Sequence, residues 1–171
     1  MQVIVLAGGE GRRLRPYTMV LPKPLMPIGK IPIIDVIIRQ LVGHGFKDIV
    51  VSVGYLAELI RAYLGTGGRY GSRIRYVKEH EPLGTVGPVR LVPRLAKDFL
   101  VVNGDILSTI DFSRALERHR RSGAVATAVI TRRSHQTNYG IVEMDRKGFM
   151  KKYLEKPVHD FQVSIGVNIF H

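Results

Sequence analysis

Residues 2–9 of the chain are QVIVLAGG, an unbroken apolar run that ends in two glycines. A short run of this kind, from Gln2 to Ala7, is typical of a parallel strand that is buried on both faces. Three more strands are predicted further along the chain, at Asp48 to Gly54, Arg73 to Lys78 and Phe99 to Val102. If helices alternate with them, the sheet is mostly parallel and has helices on both faces.

Apolar residues at helical spacing do predict helices between these strands. The first helix ends near Gly43, the second runs from Ala57 to Leu64, and the last has Asp111 as its N-cap. A further helix is expected to follow the glycines near residue 84 and to run to about Leu95. Ligands of such folds bind beyond the carboxyl ends of the strands, where the glycine-rich segments of this chain are expected to meet.

The C-terminal part of the sequence has a different pattern, in which strands follow one another without helices. A fifth strand is predicted at Ala124 to Thr131, and three more follow at Tyr139 to Asp145, Gly148 to Glu155 and Val163 to Phe170. The predicted fold is α/β: a doubly wound, mostly parallel, Rossmann-like sheet with an antiparallel strand extension towards the C-terminus. We expect a single domain over residues 1–171. We also expect the last strand to be an exposed edge, which favours self-association as a homo-oligomer.

The composition of the chain limits the kinds of molecule that it is expected to bind. The 171 residues include 26 Lys and Arg against 14 Asp and Glu, a net charge of +12, which favours a phosphate-bearing partner. Nucleic acid is not expected, because the cations are scattered, only 8% of the residues are aromatic, and there is no Trp. The absence of Cys excludes thiolate chemistry. No apolar run approaches the ~20 residues of a membrane span and no signal peptide is evident, so we expect a cytoplasmic protein without a membrane partner.

The glycine-rich segment after the first strand, GGEGRRLRP at residues 8–16, suits phosphate binding. It does not match G-x-G-x-x-G, because Leu14 stands where the third glycine is needed, and it lacks the Gly-Lys-Ser/Thr of a P-loop. Glycines nevertheless let backbone N–H groups approach phosphate oxygens, and arginine adds a bidentate cation. The alternative is an ordinary turn with arginines on the surface.

A second element follows closely, Pro22-Lys23-Pro24. The prolines restrict the backbone around the lysine, so its ammonium group loses less entropy when it binds. Such a fixed cation suits the charge that develops on a phosphoryl group. A proline turn with a solvated lysine is the alternative.

Taken together, residues 8–27, GGEGRRLRPYTMVLPKPLMP, resemble the signature of the sugar-phosphate nucleotidyltransferases, roughly L-A-G-G-x-G-T-R-L-x-P-x-T followed by P-K-P-L-x-P. The sequence departs from it at Arg12, where the family commonly has Thr. Residues 81–87, EPLGTVG, resemble E-P-L-G-T-A-G, with Val86 in place of Ala. Residues 102–105, 139–140, 155–157 and 164–170 match further family segments in order, so the resemblance covers nearly the whole chain. Among the members of the family, the sequence most resembles the mannose-1-phosphate guanylyltransferases.

The resemblance implies nucleotidyl transfer from a nucleoside triphosphate to a sugar-1-phosphate, with Mg²⁺ as cofactor and pyrophosphate as the second product. It implies catalytic roles for Arg13, at the β- and γ-phosphates, and Lys23, at the α-phosphate, and a metal-binding role for Asp105. The implied sugar-phosphate contacts are Gly140, Glu155 and Lys156. The implied nucleotide contacts are Leu6, Ala7, Gly8, Gly9, Gly11, Glu81, Gly84 and Thr85.

GTP is the favoured nucleotide, because the carboxylate of Glu81 could accept from both N1–H and N2–H of guanine. UTP, dTTP or ATP with glucose-1-phosphate is the alternative. Members of the family are usually longer and have a second metal-binding aspartate in a later W-x-D-x-G-like segment, so we expect a chain truncated at the C-terminus. Two other functions remain open: a nucleotide-binding subunit without catalysis and, from net charge alone, a nucleic-acid-binding protein.

Overall fold

The structure is a computed structural model that describes residues 1–81 and 83–171. Its helices are α1 (Ile33–Gly43), α2 (Ala57–Leu64) and α3 (Phe112–Ser122). Its strands are β1 (Gln2–Ala7), β2 (Pro27–Ile28), β3 (Ile31–Pro32), β4 (Asp48–Val53), β5 (Arg73–Lys78), β6 (Phe99–Asn103), β7 (Ala126–Gln136), β8 (Ile141–Met144), β9 (Met150–Leu154) and β10 (Val158–Phe170).

The chain divides into two compact units. The first comprises Met1–Val129 and Gly166–His171, and the second comprises Ile130–Ile165. Within the described residues, no helix is long and apolar enough to cross a membrane.

The first unit is built on a sheet with the strand order β5-β4-β1-β6-β10-β7. Strand β1 pairs in parallel with β4 on one side and β6 on the other, and β4 pairs in parallel with β5. Val3, Ile4 and Val5 are fully buried, as the unbroken apolar run of β1 predicts for a central strand covered on both faces. Helix α1 contributes Ile34, Ile37, Ile38 and Leu41 to the core from a single face. The predicted α/β class and mostly parallel sheet are therefore confirmed.

The last strand, β10, is not the exposed edge that the sequence predicts. Its residues Val167–Phe170 pair antiparallel with β6, and β7 lies on its other side, so this segment is inside the sheet. Val167 and Ile169 are fully buried. The antiparallel extension is thus correct, whereas the predicted edge is wrong because β10 inserts between two strands that precede it in sequence.

The helix predicted to run to about Leu95 is also absent. The structure has a single short 3-10 turn there, Gly87–Leu91. Pro93 lacks the backbone N–H that a continuing helix would need. Arg94 then has a φ of 55°, which lies outside the helical region.

The second unit contains the two-stranded antiparallel sheet of β8 and β9, in which Ile141 pairs with Leu154 and Val142 with Tyr153. Most of its side chains are exposed, including Phe149 and Met150.

Candidate active site

A cavity of about 370 Å³ lies at the carboxyl ends of β1 and β6 in the first unit. It is lined by the end of β1 with the glycine loop that follows, by the turn around Lys23, by residues 84–85 and by the end of β6 with Asp105. The predicted site residues that line this cavity are Leu6, Ala7, Gly9, Gly11, Arg13, Lys23, Gly84, Thr85 and Asp105. The structure therefore brings together most of the residues that were predicted for the nucleotide, the metal and catalysis.

The shape of the glycine loop depends on Gly11. Its φ is 63°, and a Cβ placed on it would lie 2.9 Å from Cγ2 of Thr18 and 3.2 Å from Cβ of Lys23. The hydroxyl of the buried Thr18 donates to the Gly11 carbonyl oxygen at 3.1 Å. Only glycine combines this backbone conformation with this close approach, so the loop is held directly against the turn that carries Lys23.

Lys23 opens a short 3-10 turn, Lys23–Leu25, that follows Pro22. Its Nζ donates to Oδ2 of Asp105 at 2.5 Å, and each side chain is about one-third exposed. Asp105 comes directly after β6, whose last residue is Asn103. The predicted phosphate-binding cation and the predicted metal ligand thus neutralise each other in this structure.

Two of the three arginines of the glycine loop, Arg12 and Arg15, form ion pairs with Glu10. Nε of Arg12 donates to Oε2 of Glu10 at 2.7 Å, and this hydrogen bond lowers the pKa of the Glu10 carboxyl group. Arg13 also lines the cavity, but it forms no ion pair with any described residue. Glu10 therefore pairs with the cation that Arg12 adds where the family commonly has Thr, while the charge of Arg13 remains available to a ligand.

Two neighbouring cavities lie beside the loop. One, of about 450 Å³, is lined by Leu6, Gly8, Gly9, Glu10, Gly11, Arg12, Glu79, Gly84 and Pro88. The other, of about 390 Å³, is lined by Gly8, Glu10, Gly54, Tyr55, Lys78, Glu79, His80 and Glu81. Glu81, the predicted guanine contact, is exposed and lines only the second of them. Pro82, which the resemblance also includes, lies outside the described residues.

Sequence reasoning missed Glu79, which lines both of these cavities. Its Oε1 accepts a hydrogen bond from Oγ of Ser52 at 2.7 Å. A signal was present in the sequence, because Glu79 follows immediately after β5 and the carboxyl ends of parallel strands lie at the same edge of the sheet.

The three predicted sugar-phosphate contacts all lie in the second unit, and Tyr153 links two of them. A Cβ placed on Gly140 would lie 2.2 Å from Oη of Tyr153. That hydroxyl donates to Oε2 of Glu155 at 2.8 Å, and the hydrogen bond raises the pKa of Tyr153. Nζ of Lys156 lies 4.0 Å from Oε1 of Glu155. Tyr153 is thus a second residue that sequence reasoning missed, although it is only two positions before Glu155 in an extended segment.

The cavity of the first unit offers Mg²⁺ one carboxylate, that of Asp105. No group of three or more His, Asp or Glu side chains close enough to hold a metal is found among residues 1–81 and 83–171. Mg²⁺ often binds through one or two carboxylates together with substrate phosphates and water. The donor set therefore fits Mg²⁺ bound between Asp105 and the phosphates of a nucleotide.

The family model described as nucleotidyl transferase matches residues 2–171. The chain belongs to this family. This match confirms the resemblance seen in the sequence. The signature residues of the family meet in this chain at the glycine loop and its cavity.

Individual relatives agree with this membership. The chain is 37% identical to a mannose-1-phosphate guanyltransferase of Yarrowia lipolytica, over 99% of this chain and 48% of that protein. It is 34% identical to a UTP–glucose-1-phosphate uridylyltransferase of Synechocystis, over 98% of this chain and 47% of that protein. The chain thus spans about half the length of these curated relatives.

A solved structure has the same fold. The structure of HddC from Yersinia pseudotuberculosis complexed with GMP-PN matches with a TM-score of 0.74 and 25% identity, covering 99% of this chain and 76% of that chain.

Proposed function

We propose that this chain transfers a nucleoside monophosphate group from GTP to a sugar-1-phosphate, giving a nucleotide sugar and pyrophosphate. The observation that carries the proposal is the cavity in which the glycine loop, Arg13, Lys23 and Asp105 meet. A nucleoside triphosphate needs backbone donors and cations at one place, and this cavity supplies both. Residues 1–171 would act as a nucleotidyltransferase domain.

In the proposed reaction, a phosphate oxygen of the sugar-1-phosphate attacks the α-phosphorus of the triphosphate. A new P–O bond forms as the bond to the β-phosphate breaks, and the electron pair leaves with pyrophosphate. Positioning and charge stabilisation account for most of such catalysis. Arg13 would hold the β- and γ-phosphates, because its guanidinium has no ion-pair partner among the described residues.

Lys23 would stabilise the charge at the α-phosphate after it leaves Asp105. Asp105 would then hold Mg²⁺, which neutralises charge on phosphate oxygens when it is bound. The ion pair at 2.5 Å keeps both side chains at the cavity until the nucleotide arrives.

In the second unit, Lys156 would bind the phosphate of the sugar and Glu155 would accept from the sugar hydroxyls. Gly140 would contact the sugar through its backbone, since Tyr153 fills the space where a Cβ would lie. The hydrogen bond from Tyr153 supports this role of Glu155, because it limits the orientations that the carboxylate can adopt.

The choice of GTP rests on two kinds of support. Guanyltransferases are prominent among the relatives, and HddC was solved with GMP-PN. The segment that contains Glu79 and Glu81 also offers carboxylates that match the donors of guanine. Because a uridylyltransferase of Synechocystis is also a relative, UTP with glucose-1-phosphate is the alternative pair of substrates.

The test is pyrophosphate release by the 171-residue chain with Mg²⁺, a panel of sugar-1-phosphates and each of GTP, UTP, dTTP, ATP and CTP. We expect release with GTP and one sugar, and no release from the Asp105→Ala variant. A nucleotide-binding subunit without catalysis is the second candidate, favoured by the single carboxylate in the cavity; it would bind GTP and release no pyrophosphate. Absence of nucleotide binding would contradict both.

We also propose a cytoplasmic location and self-association, the latter now through the edge strands β5 and β7, since β10 is paired on both sides. Sedimentation of the purified chain as a monomer would contradict self-association.

A further inference from the structure

A further cavity of the first unit, of about 200 Å³, lies at the amino end of β6, on the opposite edge of the sheet from the glycine loop. It is formed by the residue before β6, the last turn of α3 with the two residues that follow, and the residue after β10. These are Asp98, His119, Arg120, Gly123, Ala124 and His171. The cavity is smaller than the ~300 Å³ at which pockets for drug-sized ligands begin, so it suits a small ion rather than a nucleotide.

The one carboxylate of this cavity, that of Asp98, already has a donor at each oxygen. Nδ1 of His171 lies 2.8 Å from Oδ1, and Nε of Arg120 donates to Oδ2 at 2.9 Å. These hydrogen bonds lower the pKa of Asp98, so the group is an ionised acceptor and Nδ1 of His171 carries a proton. The guanidinium of Arg120 offsets the negative charge of Asp98.

Two donors of the cavity wall have spare capacity. Asp98 takes one of the five N–H groups of Arg120, and the other four have no acceptor among residues 1–81 and 83–171. The backbone N–H of Gly123, which follows α3 with a left-handed conformation, likewise donates to none of the residues that the structure describes.

His119 adds a third group, from a ring that is only 2% exposed. Its Nδ1 lies 2.8 Å from Oγ1 of Thr127. Nε2 has no partner in the described part of the chain and is not one of its fully buried unpaired nitrogens, so it opens to the cavity that the ring lines. We assign the Thr127 hydroxyl as the donor to Nδ1, which leaves the proton on Nε2 and makes it a donor to the cavity.

We propose that this cavity is a binding site for a phosphate-class oxyanion, separate from the nucleotide site. A tetrahedral oxyanion presents acceptors in several directions, which suits the guanidinium of Arg120 together with Nε2 of His119 and the Gly123 N–H. Three basic residues in the last turn of α3, among them Arg121, offset the partial negative charge at the C-terminus of the helix. The proposal does not depend on nucleotidyl transfer.

The experiment follows the imidazole resonances of the six histidines by NMR during titration with inorganic phosphate and, separately, with pyrophosphate. Sodium chloride at the same pH and ionic strength is the reference. We expect the His119 resonances to shift and to saturate with one of the two anions at least. The anion that saturates them at the lower concentration identifies the preferred source of the phosphate group.

Arg120→Gln should weaken this binding by about tenfold to hundredfold, as expected for loss of a charged hydrogen-bond donor. Arg118→Gln, at an exposed arginine of the same helix outside the cavity, is the matched control and should bind like wild type. Adding Asp98→Asn to Arg120→Gln separates direct binding from neutralisation. Affinity should stay low in this double variant, because the guanidinium itself contacts the anion.

The proposal would be overturned if phosphate and pyrophosphate shifted His119 no more than chloride does. Equal weakening by Arg118→Gln and Arg120→Gln would also overturn it, since that is an effect of net charge, and so would full recovery of affinity in the double variant with Asp98→Asn.

A variant of the glycine-loop cavity separates the two sites. Arg13→Gln combined with Lys23→Gln should leave the His119 response unchanged, because both residues line the cavity at the other edge of the sheet. Loss of the response in this variant would show that the anion acts from the nucleotide site and would contradict the proposal. Pyrophosphate release tests the proposed function independently of all these outcomes.

Discussion

The glycine-loop cavity of the first unit and the β8–β9 sheet of the second unit hold their polar residues in different ways. In the first unit, Lys23 and Asp105 line a cavity at the carboxyl ends of β1 and β6, two strands whose residues are mostly buried, and they form an ion pair between distant segments. In the second unit, Glu155 lies on a largely exposed segment, where it accepts a hydrogen bond from Tyr153 and has Nζ of Lys156 at 4.0 Å. The predicted phosphate contacts thus lie on a packed core, while the predicted sugar contacts depend on a few local hydrogen bonds.

The largest difference in stability is expected between alanine substitutions at two glycines, one in each unit. Gly11 and Gly148 both have positive φ, but a Cβ on Gly11 would clash with Thr18, whereas a Cβ on Gly148 would meet nothing within 4 Å. We expect Gly11→Ala to lower the free energy of unfolding by about 3 kcal/mol, from backbone strain together with the clash. Gly148→Ala should cost only about 1 kcal/mol, because strain is its single cause.

Urea denaturation of the two variants measures this difference. Equal losses would show that the second unit is as closely constrained as the loop, which would remove the contrast between the regions.

A smaller effect is expected at the ion pair of the first unit. Lys23→Met removes the ammonium that lies 2.5 Å from Asp105, so Mn²⁺, used as a probe for Mg²⁺, should bind the nucleotide-free chain about tenfold more tightly. Electron paramagnetic resonance of free Mn²⁺ measures the affinity. Lys30→Met, which removes the same charge from an exposed position without a cavity contact, is the matched control.

Equal tightening by both lysine variants would contradict direct competition between Lys23 and the metal. So would tightening by Lys23→Met that persists after Asp105→Asn is added.

The smallest effect is expected in the second unit. Tyr153→Phe removes the hydroxyl that donates to Glu155 and should weaken binding of the sugar-1-phosphate that supports pyrophosphate release by about two- to tenfold, as expected for one hydrogen bond. Calorimetry with the sugar phosphate tests it, and Tyr17→Phe, at a tyrosine of the first unit that is 72% exposed, is the control. Unchanged affinity in Tyr153→Phe would show that Glu155 needs no such support.

Local elements were predicted well where one short pattern determines them. The bounds of α2 and β5 agree with the sequence prediction, because each is delimited by its own apolar spacing and flanking glycines or polar residues. The prediction of a helix that runs to about Leu95 was wrong, because Pro93 has no backbone N–H to continue a helix despite the apolar spacing around it. The N-cap at Asp111 is confirmed, since its carboxylate accepts from the Arg114 N–H at 2.9 Å.

The sequence predicted which residues line the candidate site, but not which residues they contact. Nine of the predicted residues line one cavity, and most of them lie at or just after strands that end at the same edge of a parallel sheet. Glu79 and Tyr153 were missed because neither belongs to a motif. Their importance comes from what they touch, namely Gly8 and Ser52 in one case and Gly140 and Glu155 in the other.

The amino-acid sequence by itself determined the class of fold, the family and the glycine and Pro22-Lys23-Pro24 elements, because these depend on residue types at short spacing. Only the tertiary structure decided that Lys23 pairs with Asp105, 82 positions away, and that β10 inserts between β6 and β7. The physical reason is the same in both cases. A hydrogen-bond partner across the fold is chosen by packing and strand register, which no local pattern of residues encodes.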